Sequence, residues 1–119
     1  MEVCKEQIQE ILSDYKVSSF NGGVDVEWWS PAGEDVCLSI LGKTLRELAD
    51  FAKDVCENFD PDDHAATIYH AKHYGSVDQR RFYAGAPSKL TDLVEDAKAI
   101  KAFYKDVWEK LAAAASATP

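Results

Sequence analysis

Along the first fifteen residues, Val3, Ile8, Ile11, Leu12 and Tyr15 recur close to a 3.6-residue period with Glu and Gln between them, which predicts an amphipathic helix ending near Tyr15. The period then shortens to two. After KVSSF and the turn Asn21-Gly22-Gly23, Val24, Val26 and Trp28 alternate with Asp25, Glu27 and Trp29. Asn-Gly between two alternating runs marks a hairpin, because positive φ costs least at these residues. A second turn, Pro31-Ala32-Gly33-Glu34, leads into DVCLSIL, where Val36, Leu38 and Ile40 alternate with more polar positions. The expected product is a three-stranded antiparallel meander with one apolar face.

After Gly42 the helical period returns. Thr44 with Glu47 three residues on forms a capping box, and Leu45, Leu48, Ala52, Val55, Cys56 and Phe59 follow as one stripe. Asp60-Pro61-Asp62-Asp63 starts another helix: a side chain for the first free N–H groups, a proline at the first helical position and two carboxylates at the positive end of the dipole. Residues 73–87 look loop-like. From Ser88 to about Ala115, Leu90, Leu93, Val94, Ala97, Ile100, Tyr104, Val107 and Leu111 are spaced by threes and fours, predicting one long helix with residues 112–119 as a fraying tail. A helix, a meander and then two or three helices that cover its apolar face make a single α+β domain over residues 1–119.

Charge sharpens this picture. The chain has 119 residues and a formal net charge of −8. Residues 1–63 carry 15 acids against 5 bases, a net −10, whereas the remainder is net +2 and includes a small positive group at Lys72, Arg80, Arg81 and Lys89. Such a field repels nucleic-acid phosphates and favours basic partners, so direct nucleic-acid binding is not expected. The start MEVCKEQIQE is acidic and periodic, unlike a signal peptide, and no run of eighteen apolar residues occurs. A cytoplasmic location with no membrane association is expected. Cys4, Cys37 and Cys56 are widely spaced and odd in number, as reduced thiols would be.

The stretch NFDPDDHAATIYHAKH, residues 58–73, looks most like chemistry. A helical metal site needs ligands at i and i+3 or i+4, which His70 and His73 satisfy, with Asp63 on a similar face and His64 on another. That set lacks a fixed fourth ligand, so no metal and no cofactor is expected, and the acids are assigned to the helix start. Motifs of the GxSxG, Walker, GxGxxG and HExxH types are missing. Cys56, the one thiol near His64 and His70, falls on an apolar stripe. The chain is therefore expected to be non-enzymatic. Trp29 is different: if Val24, Val26 and Trp28 face the core, Trp29 points away from it as a partner anchor, unless a helix over residues 61–73 covers that face.

The blocks VEWWSPAGEDVCLSI, TLRELADFAKDV, NFDPDDHA and GAPSKLTDLVEDAKAIKAF resemble a group of small acidic proteins of unassigned function that recur in phages and mobile elements of gut bacteria. The resemblance spans nearly the whole chain, with FDPDDHA and LVEDA its most distinctive parts. It implies no activity and no site residues, but it points towards small acidic inhibitors of host nucleases and CRISPR effectors. The expected function is thus an acidic protein-binding module of a mobile element that occupies a basic, nucleic-acid-binding surface of a host defence protein. Its contact residues are expected to be Asp25, Glu27, Trp29, Glu34 and Asp35, with the acids Asp92, Asp96 and Glu109 of the last helix playing no part. The alternative is a small accessory domain whose acidity serves only solubility; a third reading makes Asp63, His70 and His73 a metal or catalytic set.

Overall fold

The alternating segment between Lys16 and Leu41 forms a three-stranded antiparallel sheet in the order β1 (Lys16–Phe20), β2 (Gly23–Trp29), β3 (Asp35–Leu41). These strands belong to a computed structural model that describes residues 3–117. Phe20 pairs with Gly23, so the hairpin loop is Asn21-Gly22, with positive φ at Gly22 (97°) and not at Asn21. Only the second loop position therefore uses the left-handed region open to glycine. Between β2 and β3, Gly33 (φ 90°) turns the chain and donates its N–H to Ser30 O at 2.8 Å. Period-two burial follows: Val17, Val24, Val26, Val36, Leu38 and Ile40 are buried on one face.

Three helices close that face. α1 (Lys5–Ile11) is shorter than its apolar pattern, but Ile8 and Leu12 are still fully buried. Its expected first residues, Met1 and Glu2, lie outside the described residues. The end of α1 is tied to the last helix, α5 (Leu90–Ala117), where the Tyr15 hydroxyl donates to Asp106 and Lys110 Nζ reaches Asp14 at 2.9 Å and Asp106 at 3.1 Å. Burial alone would raise the Asp106 pKa, yet the hydrogen bonds from Tyr15 and Lys110 outweigh it and hold that carboxyl below its ordinary range. α2 (Leu45–Asn58) places Leu48, Ala49, Ala52 and Cys56 inward and lies along α5. The Thr44 hydroxyl accepts from Glu47 N at 3.2 Å as the capping box predicts, but the Glu47 carboxylate reaches Lys43 N, one residue earlier than the reciprocal bond requires.

The α5 stripe is rotated relative to the sequence pattern. Its buried residues are Leu93, Asp96, Ala97, Ile100, Phe103, Val107 and Leu111, with Leu90 exposed and Tyr104 only half-buried. The helix continues through the alanine run to Ala117; Thr118 and Pro119, the end of the expected fraying tail, lie outside the described residues. Phe103 stacks on Trp28 (4.9 Å between ring centroids, 19° between planes) and joins helix to sheet. α3 (Pro61–Tyr74) packs on the first half of α5 through a small second cluster of Ala65, Ile68, Leu93 and Ala97. Between them lies α4 (Val77–Phe82), six residues inside the segment that looked like a loop. Ser76 and Gln79 cap it reciprocally, the hydroxyl accepting from Gln79 N at 3.2 Å and the amide oxygen from Ser76 N at 2.9 Å.

Candidate functional site

The sheet has a second face, and among the described residues no helix covers it. Its outward side chains form cross-strand rows: Phe20, Gly23 and Leu41; Ser18, Asp25 and Ser39; Lys16, Glu27 and Cys37; then Trp29 with Asp35. The outward residues of both edge strands are exposed, as is Trp29 at 61%. At one end the Phe20 ring lies over Gly23, where an added Cβ would meet the ring and the Ile40 carbonyl. At the other end stands Trp29. Between these apolar ends lie Asp25, Glu27 and Asp35, with Lys16 opposite Glu27 as the basic neighbour.

Four of the five expected contact residues, Asp25, Glu27, Trp29 and Asp35, thus share one surface. Glu34 does not join them on the sheet face. It follows the turn, and its carboxylate points towards α3, with Oε1 3.4 Å from His64 Nε2. That separation suits an ion pair, but the direction does not make a hydrogen bond, and Nε2 is buried with no other partner. The helix over residues 61–73 does not cover Trp29; it stands beside it.

Where these elements meet there is a cleft of about 510 Å³. Trp29 forms one side, Phe82 and Tyr83 another, and the buried Ile68 and Leu93 lie beneath. Phe82 is 79% exposed, so both it and Trp29 present ring surface to solvent at the rim. Glu34, Asp35 and Asp96 supply the acidic part of the lining, which among the described residues includes no lysine or arginine. The Tyr83 wall is held from behind, where Lys72 Nζ donates to Tyr83 O at 3.3 Å and Ala84 O at 2.9 Å. His73 Nε2 lies 3.1 Å from Ser88 O, fixing the chain as it enters α5. One cation of the basic group and one of the candidate metal ligands therefore have structural partners.

Asp96 differs from the other acids of the last helix that were grouped with it. It is 7% exposed, because it sits on the apolar stripe between Leu93 and Ile100. Its two carboxylate oxygens hold the β2–β3 turn from α5: Oδ2 accepts from Ser30 Oγ and Oδ1 from Ala32 N, each at 2.9 Å. Ser30 Oγ in turn accepts from Glu34 N at 2.9 Å. An acid in step with a helical apolar stripe was the available signal, and the charge count hid it.

The DPDD stretch does what its chemistry suggested. Asp60 is the N-cap of α3, accepting from Asp62 N at 3.0 Å, and Pro61 occupies the first turn. Asp60→Ala should lower stability by about 1 kcal/mol, read as a shift of the urea midpoint; an unchanged midpoint would remove the capping role. Among the described residues no three of His, Cys, Asp or Glu come together as a metal set. Two of the thiols are poorly activated. Partial desolvation of the otherwise exposed Cys37 on the sheet, followed by the field of Asp25, pushes its pKa up, and burial does the same for Cys56.

Comparisons of the chain with protein-family models, with curated proteins and with solved structures find no match. No described helix is long and apolar enough to cross a membrane.

Proposed function

We propose that the chain is a non-enzymatic protein-binding module whose working surface is the uncovered sheet face, and that it engages a basic, nucleic-acid-binding surface of another protein. The observation that supports this is the grouping of Asp25, Glu27 and Asp35 around one open face ending in the exposed ring of Trp29. The carboxylates attract and orient a basic partner, while the indole provides area that can be desolvated on contact. Hydroxyls at Ser18 and Ser39 keep the centre of the face hydrogen-bonding, Ser39 already donating to Asp25. The resemblance described above makes a host defence nuclease or CRISPR effector the proposed kind of partner.

A heparin-retained fraction of bacterial lysate, passed over the immobilised chain, tests the reading. Proteins that bind should be released by duplex DNA and by salt, since screening shortens to about 10 Å at 0.1 M. The triple change Asp25→Lys, Glu27→Lys and Asp35→Lys should slow association about tenfold or more, with folding verified by circular dichroism. Reversal of the exposed pair Asp92 and Glu109 on α5 is the control; Asp96 cannot serve, being buried. Equal retention by both variants, or retention that DNA does not compete, would leave the acidity as a matter of solubility alone.

A further inference from the structure

We infer that the cleft between Trp29 and Phe82 is the receptor for an arginine side chain of the partner protein. The inference rests on the protein-binding reading above but concerns the cleft that adjoins the sheet face at Trp29 and Asp35. Aromatic surface and carboxylates coincide here: Trp29, Phe82 and Tyr83 supply ring surface, and Glu34, Asp35 and Asp96 supply negative charge. The Phe82 and Tyr83 rings stand edge to face, 4.8 Å between centroids, so they present differently oriented surfaces to the cleft. A large aromatic left 79% exposed on a six-residue helix contributes little to the core, and the Trp29 that lines the same cleft is also exposed, at 61%.

The chemistry selects the occupant. An anion is disfavoured by three carboxylates with no lysine or arginine among the described lining residues. A purely apolar side chain would desolvate those acids without pairing them. A guanidinium satisfies both parts, since its weakly hydrated plane stacks on an aromatic ring while its edge donates to a carboxylate in a two-pronged fashion. A lysine ammonium is a strongly hydrated point charge and uses the rings less well. Within the cleft the acids differ in role. Asp96 already accepts from Ser30 and Ala32, whereas Asp35 is exposed and the carboxylate of Glu34 stands 3.4 Å from His64 without a hydrogen bond between them. Glu34 and Asp35 are therefore the carboxylates placed to receive the guanidinium. Trp29 and Asp35 belong to the open sheet face as well, so an arginine seated here is continuous with contacts along the sheet.

The experiment is a titration of the isotope-labelled chain, followed by the indole N–H resonances, with three blocked peptides of sequence Gly-Xaa-Gly in which Xaa is arginine, lysine or citrulline. Citrulline is the neutral isostere of arginine. The arginine peptide should move the Trp29 indole signal saturably, with Kd on the order of 1 mM, and leave Trp28 and Trp108 in place. The lysine peptide should bind about fivefold or more weakly, and citrulline should leave the signal unmoved. Phe82→Ala and Glu34→Gln, neither on the sheet face, should each weaken arginine binding about fivefold. An unmoved Trp29 signal, or equal shifts from arginine and either comparator, overturns the proposal. So does a Trp29 signal that moves on dilution without peptide, which would assign the cleft to a second copy of the chain. Failure here alongside DNA-competed retention of basic proteins would remove the arginine site and leave the sheet-face reading standing.

Discussion

Replacing Phe103 by alanine lowers the stability of the chain by about 3–5 kcal/mol, the cost of emptying a large aromatic site in a packed core. The site cannot readily collapse, because α5 meets both β2 and the α1–β1 connection at this ring. It stacks on Trp28 of β2 at 4.9 Å, meets Tyr15 edge to face at 4.9 Å and lies beside Tyr104 of its own helix at 5.6 Å. Removing the ring takes away the stacking partner of Trp28 while the backbones around the void are held by the sheet ladder and by the Tyr15–Asp106 hydrogen bond. Against a total stability of about 5–15 kcal/mol for a natural domain, this is a large share, and the melting temperature should fall by more than about 10 °C. Urea denaturation gives the free energy directly. A loss below about 1 kcal/mol would mean that the helix–sheet contact is far looser than the stacked geometry implies. Phe82→Ala serves as the comparison, since its ring is 79% exposed and the midpoint should hardly move.

The contrast between Phe103 and Phe82 also marks what was legible from residue order. Strand alternation assigned both faces of the meander correctly, because a period of two leaves no freedom once Val24 and Val26 are inside. The long C-terminal helix was legible as an element and in most of its face, since Leu93, Ala97, Ile100, Val107 and Leu111 are buried as the spacing predicts, but Asp96 and Phe103 were missed, and with Leu90, Val94 and Tyr104 the stripe is broad enough to be centred in more than one way. The sheet selects among them, since Trp28 needs a ring opposite it and Phe103 is the one that reaches. α4 escaped notice for another reason. It is six residues long and buries none of them, so it has no periodicity, and its one local signal was the Ser76-x-x-Gln79 box. The cleft could not be foreseen at all, as its walls come from the β2–β3 turn, α3, α4 and α5, which only tertiary packing brings together. Of the acids around it, Glu34 and Asp35 were anticipated as contact residues, although Glu34 lies to one side of the sheet face, and Asp96 was expected to play no part.

Asp96 accordingly carries the second large effect. Asp96→Ala should cost about 3 kcal/mol, because it removes a charged acceptor from two donors at once and leaves the buried Ser30 hydroxyl without its acceptor, while the Ala32 N–H of the exposed turn is left to water. The consequence extends along the turn: Ser30 Oγ is also the acceptor for Glu34 N, so loosening the serine loosens the backbone that aims Glu34 and begins β3. Asp96→Asn separates charge from geometry. Its amide oxygen can still accept from Ala32 N while its NH2 donates to Ser30 Oγ, which has a lone pair left after accepting from Glu34, so the loss should be nearer 1 kcal/mol. Asp92→Ala, at an exposed position one turn earlier, should change stability by no more than about 0.5 kcal/mol. Urea denaturation of the three variants gives the ranking, and the Trp29 indole resonance reports the turn, since Trp29 precedes Ser30 and should shift in Asp96→Ala without peptide. If Asp96→Ala were as stable as Asp92→Ala, the two 2.9 Å hydrogen bonds would be incidental and the turn would be held by Gly33 and the strand ladder alone. If instead Ala and Asn were equally damaging, the carboxylate charge and not the pattern of acceptors would be what fixes the β2–β3 turn to α5.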